Sequence, residues 1–589
     1  MTSPKNWLGS CNMEYNRLSL ALIYFRKIAR SLGIIGLGAL FQLFVPTGLW
    51  AEEPVPLVFQ DVTQRSGIHF RHTHGGCGKY YIVETVTAGL CLFDYDGDGD
   101  DDIYFLNGAP LAGCPTQEKP TNKLFRNNGG LHFTDVTAQA GVGDTGYGLG
   151  VVAGDYNNDG FLDLFVNNYG RNVLYRNNKD GTFSDVTSEA GVDNGLRVGA
   201  GALFLDIDAD GWLDLYVGNY IVFDESKHVF HQLTGVPVYG SPEEYPPDKD
   251  TLYRNNGDGT FCDVTEVSGI GKVAGTSMGM VAGDFDNDGD TDIFVGNDVR
   301  ANFLFINDGK GRFTESALER GVAYNGYGDE NASMGVDCGD YNNDGWLDLF
   351  MSDYQNEWPV LYRNEGKGFF EDATFSSGAG GRVYPYVNWG VGLVDFDNDG
   401  DKDIFIGNGH INDRIGEIDD TTAYRVANSV LRNDGGKFVD VSATAGDLPK
   451  LVKSTRGVAF ADLDLDGRVD VVILNSQDSA DILRNVTETD NHWIQIDLRR
   501  PEKNCFGVGS RVKVVAGDLV QYDEVHAGRG YQSHWGLRLH FGLGSHERVD
   551  RLEVFWHGGG HDIIENIPAD QIITVNPGGK WFPSSTAGK

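Results

Sequence analysis

Short apolar runs separated by polar turns recur along most of the chain and indicate β-strands. Runs such as Asp-Ile-Tyr-Phe-Leu-Asn from residue 102 and Asp-Leu-Phe-Val-Asn-Asn from residue 163 are rich in β-branched and aromatic residues, which favour strands. The 80 glycines and only 18 prolines predict many tight turns. The pattern as a whole is typical of an all-β repeat protein.

A second repeated pattern predicts the outer pair of strands in each repeat. Leu-Phe-Arg-Asn at 124–127 leads to Phe-Thr-Asp-Val-Thr at 133–137, and similar pairs follow further along the chain. The last copy, at 482–485, has no Phe-x-Asp-Val-Thr behind it, whereas residues 59–63 carry that half alone. We therefore expect residues 59–63 to complete the last repeat, so that the ring closes without an open sheet edge.

Between the first two predicted strands of each repeat lies an acidic loop of the form Asp-x-Asp/Asn-x-Asp-Gly-x-x-Asp. The seven copies start 51 to 78 residues apart, and every one has glycine at position six. Positions one, three, five and nine are Asp94, Asp96, Asp98 and Asp102; Asp155, Asn157, Asp159 and Asp163; Asp206, Asp208, Asp210 and Asp214; Asp284, Asp286, Asp288 and Asp292; Asp340, Asn342, Asp344 and Asp348; Asp395, Asp397, Asp399 and Asp403; Asp462, Asp464, Asp466 and Asp470.

Such loops predict one Ca²⁺ each, because calcium takes six to eight oxygen ligands and alternate side chains of a curled loop converge on one point. An EF-hand is excluded, since its bidentate glutamate at position twelve is replaced here by apolar residues such as Phe105 and Val166. Loops two and five carry asparagine at position three and are expected to bind the ion more weakly.

These repeats resemble the FG-GAP or VCBS repeats of integrin-α-type propellers over residues 57–488. The remainder, residues 491–577, resembles the ASPIC/UnbV domain through Asn-Cys-Phe-Gly-Val-Gly-Ser-Arg-Val at 504–512, Gly-Arg-Gly-Tyr-Gln-Ser at 528–533 and Leu-His-Phe-Gly-Leu-Gly at 539–544. Ser510, where alanine is common, and His557, where proline is common, depart from that domain's pattern. Together the two parts resemble the cartilage acidic protein family, a likeness that implies architecture and no defined activity.

The predicted fold is therefore an all-β, seven-bladed β-propeller with a calcium-binding loop in each blade, followed by a small antiparallel C-terminal β-sandwich. Residues 1–51, with basic residues before the apolar run 32–45, predict a secretory signal, and an uncleaved anchor is the alternative. The net charge of −38 argues against nucleic acid or an anionic membrane as partner. No later stretch is expected to span a membrane. Cys77 and Cys114 are the candidate disulfide of an exported protein.

Function is expected on the rim opposite the calcium loops, where the insertions 108–122, 220–250 and 409–428 should emerge. These insertions carry Tyr239, Tyr245 and His410, aromatic and polar groups that suit a glycan or a protein ligand. The Gly-x-Ser-x-Gly match around Ser277 has a counterpart around Ser333 in the same repeat register, so we interpret it as an inner strand and not a nucleophile elbow.

The leading hypothesis is an exported, non-catalytic binding or adhesion protein that recognises a glycan or protein. A carbohydrate-active propeller enzyme, a lyase or a hydrolase, is the alternative, and a convergent set of histidine, tyrosine or carboxylate groups around His410 would favour it. A purely structural role in assembly is the third hypothesis.

Overall fold

Each repeat folds into four antiparallel strands, so that the fold is an all-β propeller as predicted. The sheets of repeats two and three are joined at one end, where Arg197 and Val198 pair with Gly170 and Tyr169. The computed structural model describes residues 55–87, 89–111, 113–114 and 119–584; the predicted signal, residues 1–51, lies outside them. The innermost strands are Leu90–Phe93, Tyr147–Gly154, Arg197–Leu205, Ser277–Gly283, Val336–Gly339, Asn388–Val394 and Thr455–Ala461. Each contacts the next one around the ring, and Thr455–Ala461 contacts Leu90–Phe93. We call the resulting four-stranded units blades one to seven.

The remaining strands of each blade follow the two sequence patterns. The second strands, each of which starts at position nine of an acidic loop, are Asp102–Phe105, Asp163–Gly170, Asp214–Asn219, Asp292–Asn297, Asp348–Met351, Asp403–Asn408 and Asp470–Asn475. The third strands are Lys123–Asn127, Val173–Asn177, Thr251–Asn255, Phe303–Asn307, Val360–Asn364, Ser429–Asn433 and Asp481–Asn485. The outer strands are Phe133–Asp135, Phe183–Asp185, Phe261–Asp263, Phe313–Glu315, Phe370–Asp372, Phe438–Asp440 and, for blade seven, Phe59–Asp61.

The ring closes through the N-terminal strand, as the truncated last repeat predicted. Phe59 pairs with Asn485 and Asp61 with Leu483 in antiparallel register. The hydroxyl of Thr63 accepts a hydrogen bond from the backbone N–H of Ile482 at 2.9 Å. Thr137 makes the same bond to Leu124 within blade one, so the seam repeats the chemistry of an ordinary blade and leaves no open edge there.

A short helical turn follows each outer strand, where the carboxylate at the strand end accepts the N–H two residues on, as Asp135 does from Thr137 at 3.0 Å and Glu315 from Ala317 at 2.7 Å. The α-helical turns are Thr63–Ser66, Thr137–Ala140, Thr187–Ala190, Thr265–Ser268, Ala317–Arg320 and Thr374–Ser377. The 3₁₀ turns are Ile82–Glu84, Glu225–Lys227, Pro242–Glu244, Ile270–Lys272, Ile415–Glu417, Ser442–Thr444 and Leu448–Lys450. Two small pairs complete the propeller, namely His231–Leu233 with Val236–Val238 and Val426–Ala427 with Val452–Lys453.

Neighbouring blades are tied together by the asparagine that ends each third strand. The side-chain amide of Asn255 donates to the carbonyl of Tyr156 in the preceding blade at 2.8 Å and to the carbonyl of Leu213 in its own blade at 2.9 Å. The other blades repeat the first of these bonds at 2.8–2.9 Å, including Asn127 of blade one, which reaches Leu463 of blade seven. Seven buried amides thus form a closed ring of bonds between blades.

The C-terminal domain consists of two four-stranded sheets. One contains Leu539–Gly544, His492–Leu498, Gln571–Asn576 and Lys580–Pro583, and the other Leu519–Glu524, Arg511–Ala516, Arg548–Phe555 and His561–Pro568. The expectation of a purely antiparallel sandwich is wrong in one respect, since His492–Leu498 and Gln571–Asn576 pair in parallel. These two strands are far apart in sequence, and no hairpin turn fixes their relative direction.

Residues 525–535 of the C-terminal domain run through the centre of the propeller, and we call this segment the plug. The N–H and C=O of Gly530 both bond to Val336, at 2.7 and 3.2 Å, and Tyr531 is fully buried. The plug contacts the inner strand of every blade through Leu90, Val151, Phe204, Ala282, Val336, Trp389 and Phe460. The central channel is therefore filled by the chain itself.

Replacement of Asn255 by alanine should destabilise the propeller strongly. The change leaves the buried carbonyls of Tyr156 and Leu213 without their donor, and one unpaired buried polar group costs about 1–3 kcal/mol. We expect a loss of about 3 kcal/mol in the free energy of unfolding, measured by urea denaturation. Asn256→Ala is the matched control, because the neighbouring Asn256 is exposed and bonds only within its own hairpin. Equal effects of the two substitutions would contradict the role of the asparagine ring.

Candidate metal centres and ligand-binding face

The first aspartate of each acidic loop holds the loop in a curled conformation. In blade three, Oδ1 of Asp206 accepts the N–H of Asp210 at 3.1 Å and Oδ2 accepts the N–H of Gly211 at 2.9 Å. Gly211 has a φ of +83°, a backbone conformation that glycine adopts without strain. The invariant glycine at position six is thus explained by this turn.

The last aspartate of each loop is buried and joins the loop to the third strand. Oδ1 of Asp214 accepts the N–H of Asn255 at 2.7 Å, and Oδ2 accepts the N–H of Ile207 at 3.0 Å. The other six loops place position nine against the same strand end, at 2.7–2.8 Å. Position nine is therefore a junction between loop and blade as well as a candidate metal ligand.

Five of the loops bring three carboxylates close enough to share one metal ion. In each group, one oxygen per residue lies within 4.8 Å of the others, and the groups are Asp94, Asp96 and Asp102; Asp206, Asp208 and Asp210; Asp284, Asp286 and Asp292; Asp395, Asp397 and Asp399; Asp462, Asp464 and Asp466. Among the described residues, loops two and five form no such group, and these are the loops with Asn157 and Asn342 at position three. The clusters could hold metal ions.

Buried oxygens at position three fit a cation. Oδ1 of Asn157, Asp208, Asp286, Asp397 and Asp464 is buried and accepts no hydrogen bond. A buried acceptor without a donor costs free energy, and a bound cation would remove that cost. The same position in five loops carries this unsatisfied oxygen, so the donor set matches an oxygen-binding metal ion.

Burial also shifts the ionisation of the loop carboxyls. It raises the pKa of Asp94 and of Asp340 to about 7. It raises the pKa of Asp399 to about 9, where the neighbouring carboxyls of Asp395 and Asp397 add to the shift. Without a bound cation, some of these carboxyl groups are therefore protonated near neutral pH.

The C-terminal domain covers the acidic-loop face and touches every loop. Arg538 donates to the carbonyl of Gly99 at 3.0 Å, and Gln495 donates to the carboxylate of Asp462 at 2.8 Å. The loop residues that the domain contacts, one per blade, are Gly99, Asn158, Asp210, Asn287, Gly345, Asn398 and Asp462. The loops therefore lie between two parts of the same chain.

The predicted ligand residues lie on the opposite face, with unequal access. Tyr239 lines a cavity of about 280 Å³, and its hydroxyl donates to Glu84 at 3.0 Å. Tyr245 packs on Phe223 with ring centroids 5.6 Å apart, and its N–H donates to the carbonyl of Pro242, a residue of the cavity wall, at 3.0 Å. His410 is buried behind the wall that Ile411 and Asn412 form, and burial lowers its pKa to about 4.

Ser277 is the first residue of an inner strand and is fully buried, so the Gly-x-Ser-x-Gly match is not an exposed nucleophile. Its hydroxyl donates to Asp250 at 2.8 Å. His410 bonds through its ring to Gln355 and to the N–H of Asn412, and no carboxylate is among these partners. Tyr354 packs on the His410 ring with centroids 5.9 Å apart, and Gln355 joins His410 to the carboxylate of Asp419 at 2.6 Å.

Sequence reasoning missed two groups of residues that organise these surfaces. The asparagine that ends every third strand is constant in the sequence repeat, yet only the structure shows that it bridges two blades. The carboxylates of Asp298 and Glu357, which line the cavity, lie outside the three insertions and carry no repeat signal.

Comparison with known proteins defines the class. Residues 94–166, 155–217, 239–295, 284–351 and 340–406 match the FG-GAP-like repeat, and residues 500–580 match ASPIC and UnbV. The chain belongs to the proteins that combine FG-GAP-like repeats with an ASPIC and UnbV domain.

Among curated proteins, the chain is similar to cartilage acidic protein 1 from Homo sapiens, with 25% identity over 506 residues, 83% of this chain and 62% of that protein. It is also similar to the Xenopus tropicalis protein of the same name, with 25% identity over 487 residues, 80% of this chain and 61% of that protein. The chain thus spans less than two thirds of the length of these relatives.

Two solved structures match the chain at low similarity. One is an Agrocybe aegerita lectin that recognises non-reducing terminal N-acetylglucosamine, with 17% identity, a TM-score of 0.36, and coverage of 67% of this chain and 87% of that one. The other is the exotype rhamnogalacturonan lyase YesX, with 13% identity, a TM-score of 0.34, and coverage of 69% and 62%. The fold assignment rests on the strand topology of this chain.

Metal-free protein should become less stable as the pH rises from 7 to 8.5. The unfolded aspartates, with a pKa of about 3.9, are already ionised in this range, whereas folded carboxyls such as Asp94 and Asp399 still release protons. Because the folded state then binds more protons than the unfolded state, the free energy of unfolding falls with pH. His526 and His534, whose pKa burial lowers to about 3, stay neutral here. Urea denaturation of chelator-treated protein tests this, and a flat or rising profile would contradict it.

Proposed function

We propose that the protein is an exported, calcium-binding and non-catalytic binding protein that recognises a glycan or protein ligand through the face opposite the acidic loops. One observation carries the proposal: the C-terminal domain covers the loop face, while the insertion 220–250 on the other face exposes large apolar side chains. Val222, Val229, Phe230 and Leu233 are each 46–56% exposed. A group of exposed apolar side chains on a protein surface usually marks a site of interaction with another molecule.

Calcium is the metal we assign to the acidic loops. The donors are carboxylate and amide oxygens without a sulfur or imidazole, and hard oxygen ligands suit calcium. Calcium would neutralise the clustered carboxylates and satisfy the position-three oxygens, so its role is to stiffen each loop and the covering C-terminal domain. Residues such as Asp206, Asp208 and Asp210 would hold the ion.

Export is supported by the predicted signal and by chemistry in the described part of the chain. Cys77 and Cys114 form a disulfide, as the sequence suggested, and disulfides persist in oxidising compartments outside the cytosol. No helix among the described residues combines the length and apolar character needed to cross a bilayer. A periplasmic, extracellular or cell-surface location follows from the proposal.

Removal of calcium should lower the melting temperature, and its return should restore it. At a calcium concentration one hundred times the dissociation constant, each occupied site stabilises the folded state by about 2.7 kcal/mol. Differential scanning calorimetry with EDTA and with excess calcium measures the effect, and an unchanged melt would reject calcium as a structural ion.

The number of bound ions should fall by one when a single loop is altered. Asp286→Ala removes the position-three ligand of loop four altogether, whereas Asp258→Ala changes an exposed hairpin aspartate and serves as the matched control. Metal analysis after equilibrium dialysis gives the stoichiometry. Equal calcium content in the two variants would contradict the assignment of loop four.

Ligand capture should depend on the exposed apolar side chains of the insertion. Phe230→Ser with Leu233→Ser removes two of them without opening the core, so the calcium-bound melting temperature should stay constant while binding falls at least tenfold. Binding is measured on glycan arrays and by affinity capture from the exported proteins of the source cells. Val439→Ser changes an exposed apolar position on another blade and is the control. Undiminished binding by the double variant would overturn the proposed surface.

A further inference from the structure

A blind cavity lies near the propeller axis on the face opposite the acidic loops. It has a volume of about 280 Å³, and its wall includes Val86, Tyr220, Asp298, Glu357 and Trp389. The plug closes it from below: the hydroxyl of Tyr531 donates to the carbonyl of Val86 at 2.9 Å, and its ring lies 5.0 Å from that of Trp389. The cavity therefore opens only toward the proposed ligand face.

Two carboxylates line this cavity without a compensating cation among the described residues. Asp298 accepts the hydroxyl of Tyr220 at 2.6 Å. Glu357 accepts the N–H of Ala332 at 3.0 Å, an N–H that Asp353 also approaches at 3.0 Å. The charged neighbour of Asp298 is another carboxylate, Glu357. Both side chains are half-buried, and two like charges in a partly desolvated cavity repel each other, a repulsion that a bound cation would remove.

The buried cation behind Trp389 of the cavity wall is Arg456, and it is engaged elsewhere. The guanidinium of Arg456 stacks on Trp389 at 4.0 Å from the ring centroid. It donates to the carbonyls of Thr85 and Thr455, at 3.0 and 2.8 Å. Arg456 therefore supports the wall of the cavity and does not neutralise Asp298 or Glu357.

The rest of the wall selects the kind of cation. Ile82, Val86, Met278 and Met334 present apolar surface. The cavity offers two carboxylates, whereas five of the acidic loops each bring three within reach of one metal ion, so the cavity is less suited to calcium than the loops are. An organic cation offers a charged end for the carboxylates and an alkyl part for the apolar wall. The volume lies just below the usual range for ligand pockets, about 300–1,000 Å³, so the cavity has room for one extended side chain.

We propose that this cavity binds an alkylammonium group, the end of a lysine side chain presented by a protein ligand, with Asp298 and Glu357 as its anionic partners. The inference rests on the proposed function, because both place the ligand on the same face of the propeller. The two carboxylates favour a basic protein over a neutral glycan as that ligand. Tyr239, from the insertion, forms part of the rim, so the apolar surface of that insertion and the cavity would contact one partner.

Three probes test the chemistry: Nα-acetyl-lysine methylamide, its neutral Nε-acetylated form, and n-butylammonium. Calorimetric titration of the full, calcium-loaded protein should give binding of the lysine derivative, with at least tenfold weaker binding of the acetylated form. If butylammonium binds as well as the lysine derivative, the site recognises the alkylammonium group alone. If butylammonium binds more weakly, the site also recognises the peptide backbone of the lysine derivative. Both outcomes support the site. Absence of lysine binding at millimolar concentration, or equal binding of the acetylated form or of a neutral disaccharide, would overturn it.

Variants locate the site. Asp298→Asn and Glu357→Gln keep the side-chain shape and remove one charge each, and both should weaken lysine binding at least tenfold. Glu330→Gln removes an exposed charge outside the cavity wall and should leave binding unchanged. The calcium-bound melting temperature reports whether each variant folds. If folded Asp298→Asn and Glu357→Gln bind the lysine derivative as the wild type does, the assignment fails.

The same variants separate this inference from the proposed function. If capture of the macromolecular ligand is lost with Phe230→Ser and Leu233→Ser but is unchanged in Asp298→Asn and Glu357→Gln, the binding face stands and the lysine site is rejected. If capture survives all four changes, both are rejected. Loss in both sets supports a single partner that uses the insertion and the cavity together.

Discussion

The stability of the ring depends on one buried polar junction that is repeated in each blade. The asparagine at the end of the third strand donates to a carbonyl of the preceding blade, while its own N–H is held by the last aspartate of the acidic loop. A loop, a blade and the neighbouring blade therefore meet at one side chain. Since every partner is buried, none can be replaced by water without cost.

This junction links the metal centres to the rest of the molecule. In blade three, backbone N–H groups of the acidic loop donate to Asp206 at its start. At its end, the N–H of Asn255 donates to Asp214. A cation in the loop would act on the same aspartates that hold the blades together. The loops are consequently better understood as part of the framework that carries the ligand face than as the ligand face itself.

Much of the architecture was predictable because the repeat encodes it locally. The acidic loop, the strand that follows it and the closing half-repeat at residues 59–63 each carry their own pattern, and the comparison with FG-GAP-like repeats agrees with them. The parallel pairing of His492–Leu498 with Gln571–Asn576 was not predictable, because it depends on the packing of distant strands. The same holds for the plug, whose Gly-Arg-Gly-Tyr sequence does not reveal where it inserts.

The proposed ligand face was predictable only in outline. The insertion that carries Tyr239 was evident from the spacing of the repeats, but His410 proved to lie behind the wall. Asp298 and Glu357 come from different blades and meet only because the ring brings them to one axis. A site assembled at an axis of near-symmetry leaves no continuous motif in the sequence.

The plug and the closing strand have a consequence for how the protein is made. Ring closure joins Thr63 to Ile482, 419 positions apart, and the channel is filled by residues that follow all seven blades. During synthesis, blades one to six emerge with an unfilled centre and an unpaired N-terminal strand. The ring can be completed only after nearly the whole chain has left the ribosome, so the growing chain has to be kept from pairing its open edges with other molecules.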